Sequence, residues 1–161
     1  MDAKTCLAQF ARLLADETGL LAVLETQLQQ EHLLLSNNDV DGLEAASSAR
    51  QNTVAKLLRI DDERRSLCRL MGQSADQFGI GRLLAWCDPA GSLAAAQGQC
   101  TIQAERCRQQ NDRNGALVAA RLNRITGMLD MLADNTGPRT YEAHGAARGA
   151  VASGRMLSIS A

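Results

Sequence analysis

Cysteine and histidine are the residues of this chain whose side chains could act as nucleophiles or bind a transition metal. The five cysteines are Cys6, Cys68, Cys87, Cys100 and Cys107. They include no Cys-x-x-Cys pair and no spacing typical of a zinc site, so we expect five reduced thiols in a cytosolic protein. His32 follows Glu31 in a charged stretch, and His144 lies near the C-terminus. A cysteine nucleophile would need a histidine beside it in the fold, and only His32 is suitably placed.

The carboxylates give no stronger indication of catalysis. Glu17 and Glu31 could belong to a di-metal helical bundle, but such centres use Glu-x-x-His on two helices, and the chain has no such match. The charge run at residues 61–65 is typical of a solvated helix face with local ion pairs. No glycine-rich phosphate loop, nucleophile elbow or zinc signature occurs. We therefore predict that the protein is not an enzyme, holds no metal or cofactor, and functions by binding.

The composition favours helices and argues against several classes of partner. The 161 residues include 17 basic and 18 acidic side chains, and this net charge of -1 offers no basic surface for nucleic acid or an anionic membrane. Aromatic residues make up only 2% of the chain, which argues against a β-sandwich or barrel. No apolar stretch approaches the roughly 20 residues of a membrane span, and residues 1–10 do not resemble a secretory signal. We expect a cytoplasmic all-α protein without membrane insertion.

Two long amphipathic segments predict an antiparallel helical hairpin. In the first, over about residues 5–35, leucines recur every seven residues and form a heptad seam. They are Leu7, Leu14, Leu21, Leu28 and Leu35. The sequence Ser36-Asn37-Asn38-Asp39 ends this helix, because asparagine tolerates the left-handed conformation and Asn38 or Asp39 can cap the next helix. The second segment covers about residues 39–71, and Gly72 follows in a position suited to a C-cap.

The remaining chain is predicted to add a third long helix and a tail. Within residues 73–89, one or two helical turns are expected to place Phe78, Leu84 and Trp86 against one end of the bundle. A third helix over about residues 92–135 keeps apolar side chains at three- and four-residue spacing. Asn111 and Asn114 interrupt this stripe. Either they are solvated or paired internally, or this part frays or faces something other than the chain's own core. The helical domain is thus predicted at residues 1–135, with a flexible tail rich in glycine, alanine and serine at residues 136–161.

Several of these segments, taken together, resemble the flagellar export chaperones of the FlgN type. The periodic leucines and glutamates of the first helix, the Asn38-Asp39-Val40-Asp41 turn, residues 57–72 and residues 110–117 follow one another in the order of that family. Tyr141, Gly145 and Arg148 are similar to its C-terminal end. The resemblance implies a cytoplasmic, substrate-specific chaperone. Such a chaperone binds the hook–filament junction proteins FlgK and FlgL, keeps them unassembled and escorts them to the flagellar type III export gate.

The resemblance also implies where the partners bind. The family assigns the substrate contact to its C-terminal amphipathic part, which here corresponds to the apolar positions after Gly115, with Asn111 and Asn114 beside them. The apolar positions are Val118, Leu122, Ile125, Met128, Leu129 and Leu132. Tyr141, the one large side chain of the tail, is predicted to dock on the export gate.

Two alternatives to this assignment stay open at the level of sequence. In the first, the apolar stripe is simply the packing face of the third helix. In the second, the chain is a structural or regulatory subunit that self-associates through the heptad seam of its first helix.

Overall fold

Four α-helices make up most of the part of the chain that the structure, a computed structural model, describes, namely residues 1–135. They are α1 (Ala3–Asn37), α2 (Val40–Leu70), α3 (Gln77–Cys87) and α4 (Ala94–Asn135). No strand occurs among these residues. The prediction of an all-α protein with a long hairpin and a third long helix is confirmed. The predicted tail, residues 136–161, lies outside the described residues.

The turn between α1 and α2 forms as its asparagine and aspartate predict. Asn38 adopts the left-handed conformation with φ of 59°, and its N–H donates to the carbonyl of Leu35 at 3.3 Å. The Asp39 carboxylate then accepts the N–H of Gly42 at 2.9 Å, which caps the first turn of α2. At the other end of α2, Gly72 has φ of 68°, so the glycine stop predicted there is also confirmed.

Ion pairs show that α1 and α2 run antiparallel. Glu31 of α1 accepts from Arg50 of α2 at 2.8 Å, and Glu17 accepts from Arg64. The earlier α1 residue meets the later α2 residue, which is the register of an antiparallel hairpin. All four side chains are at least half-buried, so these pairs lie at the edge of the helix–helix interface rather than in open solvent.

The packing of α4 on α1 is parallel. Cys107 Sγ donates to the Leu21 carbonyl at 3.4 Å, and Asn114 Nδ2 donates to the Leu28 carbonyl at 2.8 Å. The two contacts are seven residues apart on both helices and advance in the same direction. Leu21, Leu28, Cys100 and Cys107 form the buried cluster between these helices. Because α2 ends where α1 begins, the connection that contains α3 stays at that end of the bundle, and α4 starts from there.

A second buried cluster closes the end of the bundle where α1 begins. It consists of Cys6, Phe10, Leu67, Cys68, Leu83 and Cys87. The prediction that Phe78 and Trp86 fill this end is wrong, because both are exposed, although Leu84 does pack against the cluster. The reason is helical phase. Leu83 and Cys87, four residues apart, occupy the inner side of α3, and Phe78 and Trp86 then point away from it.

Two aspartates bind backbone N–H groups before α3 and before α4. Asp76 Oδ1 accepts the N–H of Gly79 at 2.8 Å, and Asp88 accepts the N–H groups of Ser92 and Leu93 at 2.8 and 2.9 Å. The backbone N–H groups of Gly79 and Leu93 lower the pKa of Asp76 and Asp88 respectively below the usual range, because they stabilise the ionised carboxylates. Asp76 is thus the N-cap of α3, whereas Asp88, at the C-terminal end of α3, orders the turn that leads into α4.

Gly79 and Gly81 of α3 are expected to respond oppositely to alanine. A Cβ at Gly79 would lie 1.8 Å from the Ser74 carbonyl oxygen, whereas a Cβ at Gly81 meets nothing within 4 Å. Gly79→Ala should therefore lower the free energy of unfolding by about 1–3 kcal/mol through overpacking. Gly81→Ala should raise it by up to about 1 kcal/mol, because alanine favours the helix. Urea denaturation of both variants tests this, and equal effects would contradict it.

The chain divides into two compact units, Met1–Arg124 and Ile125–Ala161. The first contains α1, α2, α3 and most of α4, with both buried clusters. In the parallel register of α1 and α4, Asn37 at the end of α1 is level with Asn123, close to the end of this unit. In the second unit the described residues, 125–135, form the last eleven residues of α4.

Candidate partner-binding surface

The six apolar residues predicted to bind a partner all lie on α4 and are all exposed. Val118 and Leu122 belong to the first unit, and the other four belong to the second. Those four are Ile125, Met128, Leu129 and Leu132. Within each unit, three- and four-residue spacing along the helix places the residues of that unit on one side of it. Met131, in the second unit, is also exposed. We call the six residues the α4 stripe.

In the first half of α4, the side chains that face α1 are small or polar. Cys100, Cys107 and Asn114 recur every seven residues and are buried against α1. Small thiols and an amide thus stand where a coiled-coil seam usually has leucine or isoleucine. This half of the helix therefore packs on the chain's own core. The α4 stripe, in contrast, is exposed.

The two asparagines of α4 have different environments. Asn114 is buried, its amide donates to the Leu28 carbonyl, and its Oδ1 lies 3.0 Å from His32 Nδ1. The amide orientation makes Oδ1 the acceptor, so His32 donates from Nδ1. Asn111 is exposed. Of the possibilities left open by the sequence, internal pairing therefore holds for Asn114 and an exposed position for Asn111.

Replacement of Asn114 by alanine is expected to destabilise the protein, whereas the same change at Asn111 is not. The Asn114 variant loses two hydrogen bonds in a buried position, which should cost about 1–2 kcal/mol of unfolding free energy. Asn111→Ala should stay within about 0.5 kcal/mol of the parent chain, as expected for an exposed site. Chemical denaturation followed by circular dichroism measures both. A similar loss in the two variants would show that the buried amide has no special role.

A groove lies beside Asn111 and Asn114, and sequence patterns did not predict it. It has a volume of about 370 Å³ and is formed by α1, α2 and α4. Leu35, Leu43 and Val118 supply apolar walls. The Glu31–Arg50 ion pair supplies charge at its edge. The sequence contained one signal for this ion pair. An antiparallel hairpin that turns at Asn38 brings residues of α1 before the turn close to residues of α2 after it, and Glu31 and Arg50 are such residues.

The side chains considered for nucleophilic chemistry do not meet. Cys68 packs with Phe10 near the start of α1, whereas His32 lies near its end, roughly 33 Å along the helix at 1.5 Å per residue. All five cysteines are buried, and none of them forms a disulfide bond. Burial raises the pKa of Cys6 to about 11 and also raises the pKa of Cys68, Cys100 and Cys107. These four thiols stay protonated at neutral pH and are poor nucleophiles.

The heptad seam of α1 is covered by the chain's own helices. Leu21, Leu28 and Leu35 are buried, and Leu7 and Leu14 pack against the two buried clusters. The seam through which self-association was considered is therefore not an exposed surface. Within residues 1–135, no cluster of histidine, cysteine or carboxylate side chains could hold a metal ion, and no helix is long and apolar enough to cross a membrane.

Comparison with known proteins adds one finding to this geometry. A family model described as "FlgN protein" matches residues 1–149 of the chain. No curated protein and no solved structure matches it. The matched range contains all four helices, the α4 stripe, and also Tyr141, which lies outside the described residues.

Proposed function

Because the chain belongs to the FlgN family of flagellar export chaperones, we propose that it binds the hook–filament junction proteins FlgK and FlgL through the α4 stripe. The observation that supports this assignment is the exposure of six large apolar side chains at three- and four-residue spacing, two in the first unit and four in the second. Burying such a side chain is worth about 1.5–3 kcal/mol. A helix that leaves six of them in water is suited to a partner that covers them.

The mode of binding that fits the stripe is helix against helix. A client terminus with an amphipathic helix would lay its apolar face on residues spaced at three and four along α4. Met128 and Met131 suit such a contact, because thioether side chains adapt to different neighbours. A covered client terminus cannot pair with other subunits, so the complex would prevent premature assembly without any catalytic step.

The groove at the end of the hairpin extends the proposed site within the first unit. Val118 belongs both to the α4 stripe and to the groove wall, and Asn111 and Asn114 line the groove. In this proposal Asn111 offers an exposed amide to the client backbone. Asn114 acts indirectly, since its amide is bonded to Leu28 and thereby holds this part of α4 on α1.

The proposal is tested by mixing the purified chain with purified FlgK and FlgL and measuring complex formation by size-exclusion chromatography and calorimetry. We expect a defined complex in each case, and loss of the complex when the C-terminal segment of the client is removed. If neither junction protein forms a complex with the folded chain, the proposal fails.

Docking of the chaperone on the export gate is proposed to involve Tyr141, and the complex would form in the cytoplasm before export. We expect Tyr141→Ala to weaken binding to the isolated gate by tenfold or more, in keeping with a single tyrosine anchor. FlgK and FlgL binding should be unchanged in the same variant. Pull-down with the gate and with FlgK, run in parallel, separates the two effects. Unchanged gate affinity would remove Tyr141 from the proposal.

A further inference from the structure

The helix α3 presents an exposed aromatic face that the proposed client site does not use. Phe78, Arg82 and Trp86 follow one another at intervals of four residues, so they lie on the same side of the helix. Phe78 is 81% exposed and Trp86 is 48% exposed. Within residues 1–135 the only other aromatic side chain is Phe10, which is buried in the core. Aromatic and arginine side chains grouped in this way are typical of binding surfaces.

This face belongs to a firmly held helix. The opposite side of α3 contributes Leu83 and Cys87 to the buried cluster at the end of the bundle. The Asp76 carboxylate caps its first turn, and Gly79 packs directly on the Ser74 backbone. Turning Phe78 or Trp86 inward would therefore require α3 to leave the core. The aromatics are already in position for a partner, which lowers the ordering cost of binding.

Arg82 determines the chemistry of the partner. It stands between the two aromatics, and it forms no close ion pair with a carboxylate of the described residues, although its charge is one of the weaker causes that lower the pKa of Asp76. The oxygens of nearby Asp76 are engaged by the Gly79 N–H and the Ser74 hydroxyl. Any molecule that covers Phe78 and Trp86 also removes water from the Arg82 guanidinium. That is unfavourable unless the molecule supplies a carboxylate in return.

A cleft beside this face gives room for an apolar side chain. It has a volume of about 610 Å³ and lies between α3 and the beginning of α4, with Phe10 and Leu14 of α1 at its base. Gly81, next to Phe78 around α3, forms part of its wall together with Leu84. None of Phe78, Arg82 and Trp86 lines the cleft, but Gln77 and Gly81, which do, directly precede Phe78 and Arg82 in the helix. An approaching helix could place one side chain in the cleft while it contacts Phe78.

We propose that the face formed by Phe78, Arg82 and Trp86, together with this cleft, binds an acidic amphipathic helix of a protein other than the client. A carboxylate of that helix pairs with Arg82, and its apolar residues one turn to either side cover Phe78 and Trp86. The surface lies on α3, whereas the proposed client surface lies on α4. The inference therefore stands independently of the identity of the client.

Trp86 is the only tryptophan of the chain and reports directly on this contact. The probes are two synthetic helical peptides without tryptophan that share one leucine pattern and differ only in a central glutamate or lysine. Titrated into the full chain, the glutamate peptide should shift Trp86 emission to shorter wavelength and bind at least tenfold more tightly than the lysine peptide. Arg82→Glu should reverse this preference. Phe78→Ala should weaken the glutamate peptide at least tenfold.

Matched controls distinguish this surface from other apolar residues. Leu58, exposed on α2, is replaced by alanine and should leave the peptide titration unchanged. Phe78→Ala should retain FlgK and FlgL binding, so failure of this inference and failure of the proposed function give different results. Equal binding of the two peptides, or an unaltered preference in Arg82→Glu, overturns the proposal. The proposal is also overturned if Trp86 emission shifts as the protein concentration rises without any peptide and sedimentation gives the mass of a dimer. A second copy of the chain would then occupy the face.

Discussion

A chain that carries Ile125→Asn and Leu129→Asn together is expected to lose its complexes with FlgK and FlgL while remaining folded. Both side chains lie on the α4 stripe and are exposed, so asparagine removes no core packing. If a client covers both, each lost apolar contact removes about 1.5–3 kcal/mol, and the pair should weaken binding by about 100-fold or more. Calorimetry with each purified client measures the change, and circular dichroism verifies the helix content.

Two other exposed apolar residues provide a matched control for this prediction. Ile102 is 51% exposed against 54% for Ile125, and Leu58 is 61% exposed against 60% for Leu129. A chain with Ile102→Asn and Leu58→Asn loses the same kinds of side chain from positions outside the stripe. It should bind both clients as the parent chain does. Equal loss in the two double variants would show that general surface hydrophobicity, rather than the α4 stripe, drives the association.

Leu28→Ala is expected to cause the largest loss of stability among single substitutions at the interface of α1 and α4. Leu28 is 1% exposed and packs with Leu21, Cys100 and Cys107. Truncation to alanine removes buried methyl groups and leaves a cavity, which should cost about 3 kcal/mol, within a range of roughly 2–5 kcal/mol. Guanidinium denaturation measures the difference. This is a large fraction of the stability of an ordinary domain.

Leu33→Ala serves as the reference for that measurement. Leu33 lies five residues further along α1 and is 63% exposed, so the same change of residue removes no buried contact. The free energy of unfolding of the Leu33→Ala variant should stay within about 0.5 kcal/mol of the parent value. If Leu28→Ala were equally mild, the buried cluster between α1 and α4 would not support the fold, and the parallel packing described above would be wrong.

The hairpin could be predicted from the sequence because its determinants are local. A leucine every seven residues sets the buried side of α1, and Asn38 and Asp39 end one helix and cap the next within a few residues. Each of these effects depends on neighbours close in sequence. The helical class, the two long helices and the turn between them follow from such rules, with helix ends shifted by only one or two residues.

The position of α4 on α1 could not be predicted in the same way. It rests on contacts such as Asn114 to the Leu28 carbonyl, which join residues far apart in the chain. Periodicity showed that Cys107 and Asn114 share one side of α4, but not which helix that side meets or in which direction. The groove beside Asn111 combines residues of three helices and was missed for the same reason.

The orientation of α3 was predicted wrongly because large aromatic residues were taken as core residues. In an eleven-residue helix only one side can face the bundle, and Leu83 and Cys87 occupy it. A small thiol at Cys87 fits the crowded end formed with Cys6 and Cys68, whereas Trp86 would not. The other residues of this buried cluster come from α1 and α2, far from α3 in the sequence, so the residue types of α3 alone did not reveal which of its sides is buried.

The distribution of the thiols provides native labels for following how the helices come apart. Cys6, Cys68 and Cys87 lie together where α1 begins, whereas Cys100 and Cys107 lie along the contact of α1 with α4. A short pulse of an alkylating reagent modifies only those sulfur atoms that water reaches during the pulse. Mass spectrometry of the digested chain then assigns each modified cysteine to one of the two regions. The order in which these regions open during denaturation can thus be measured without introducing any foreign probe.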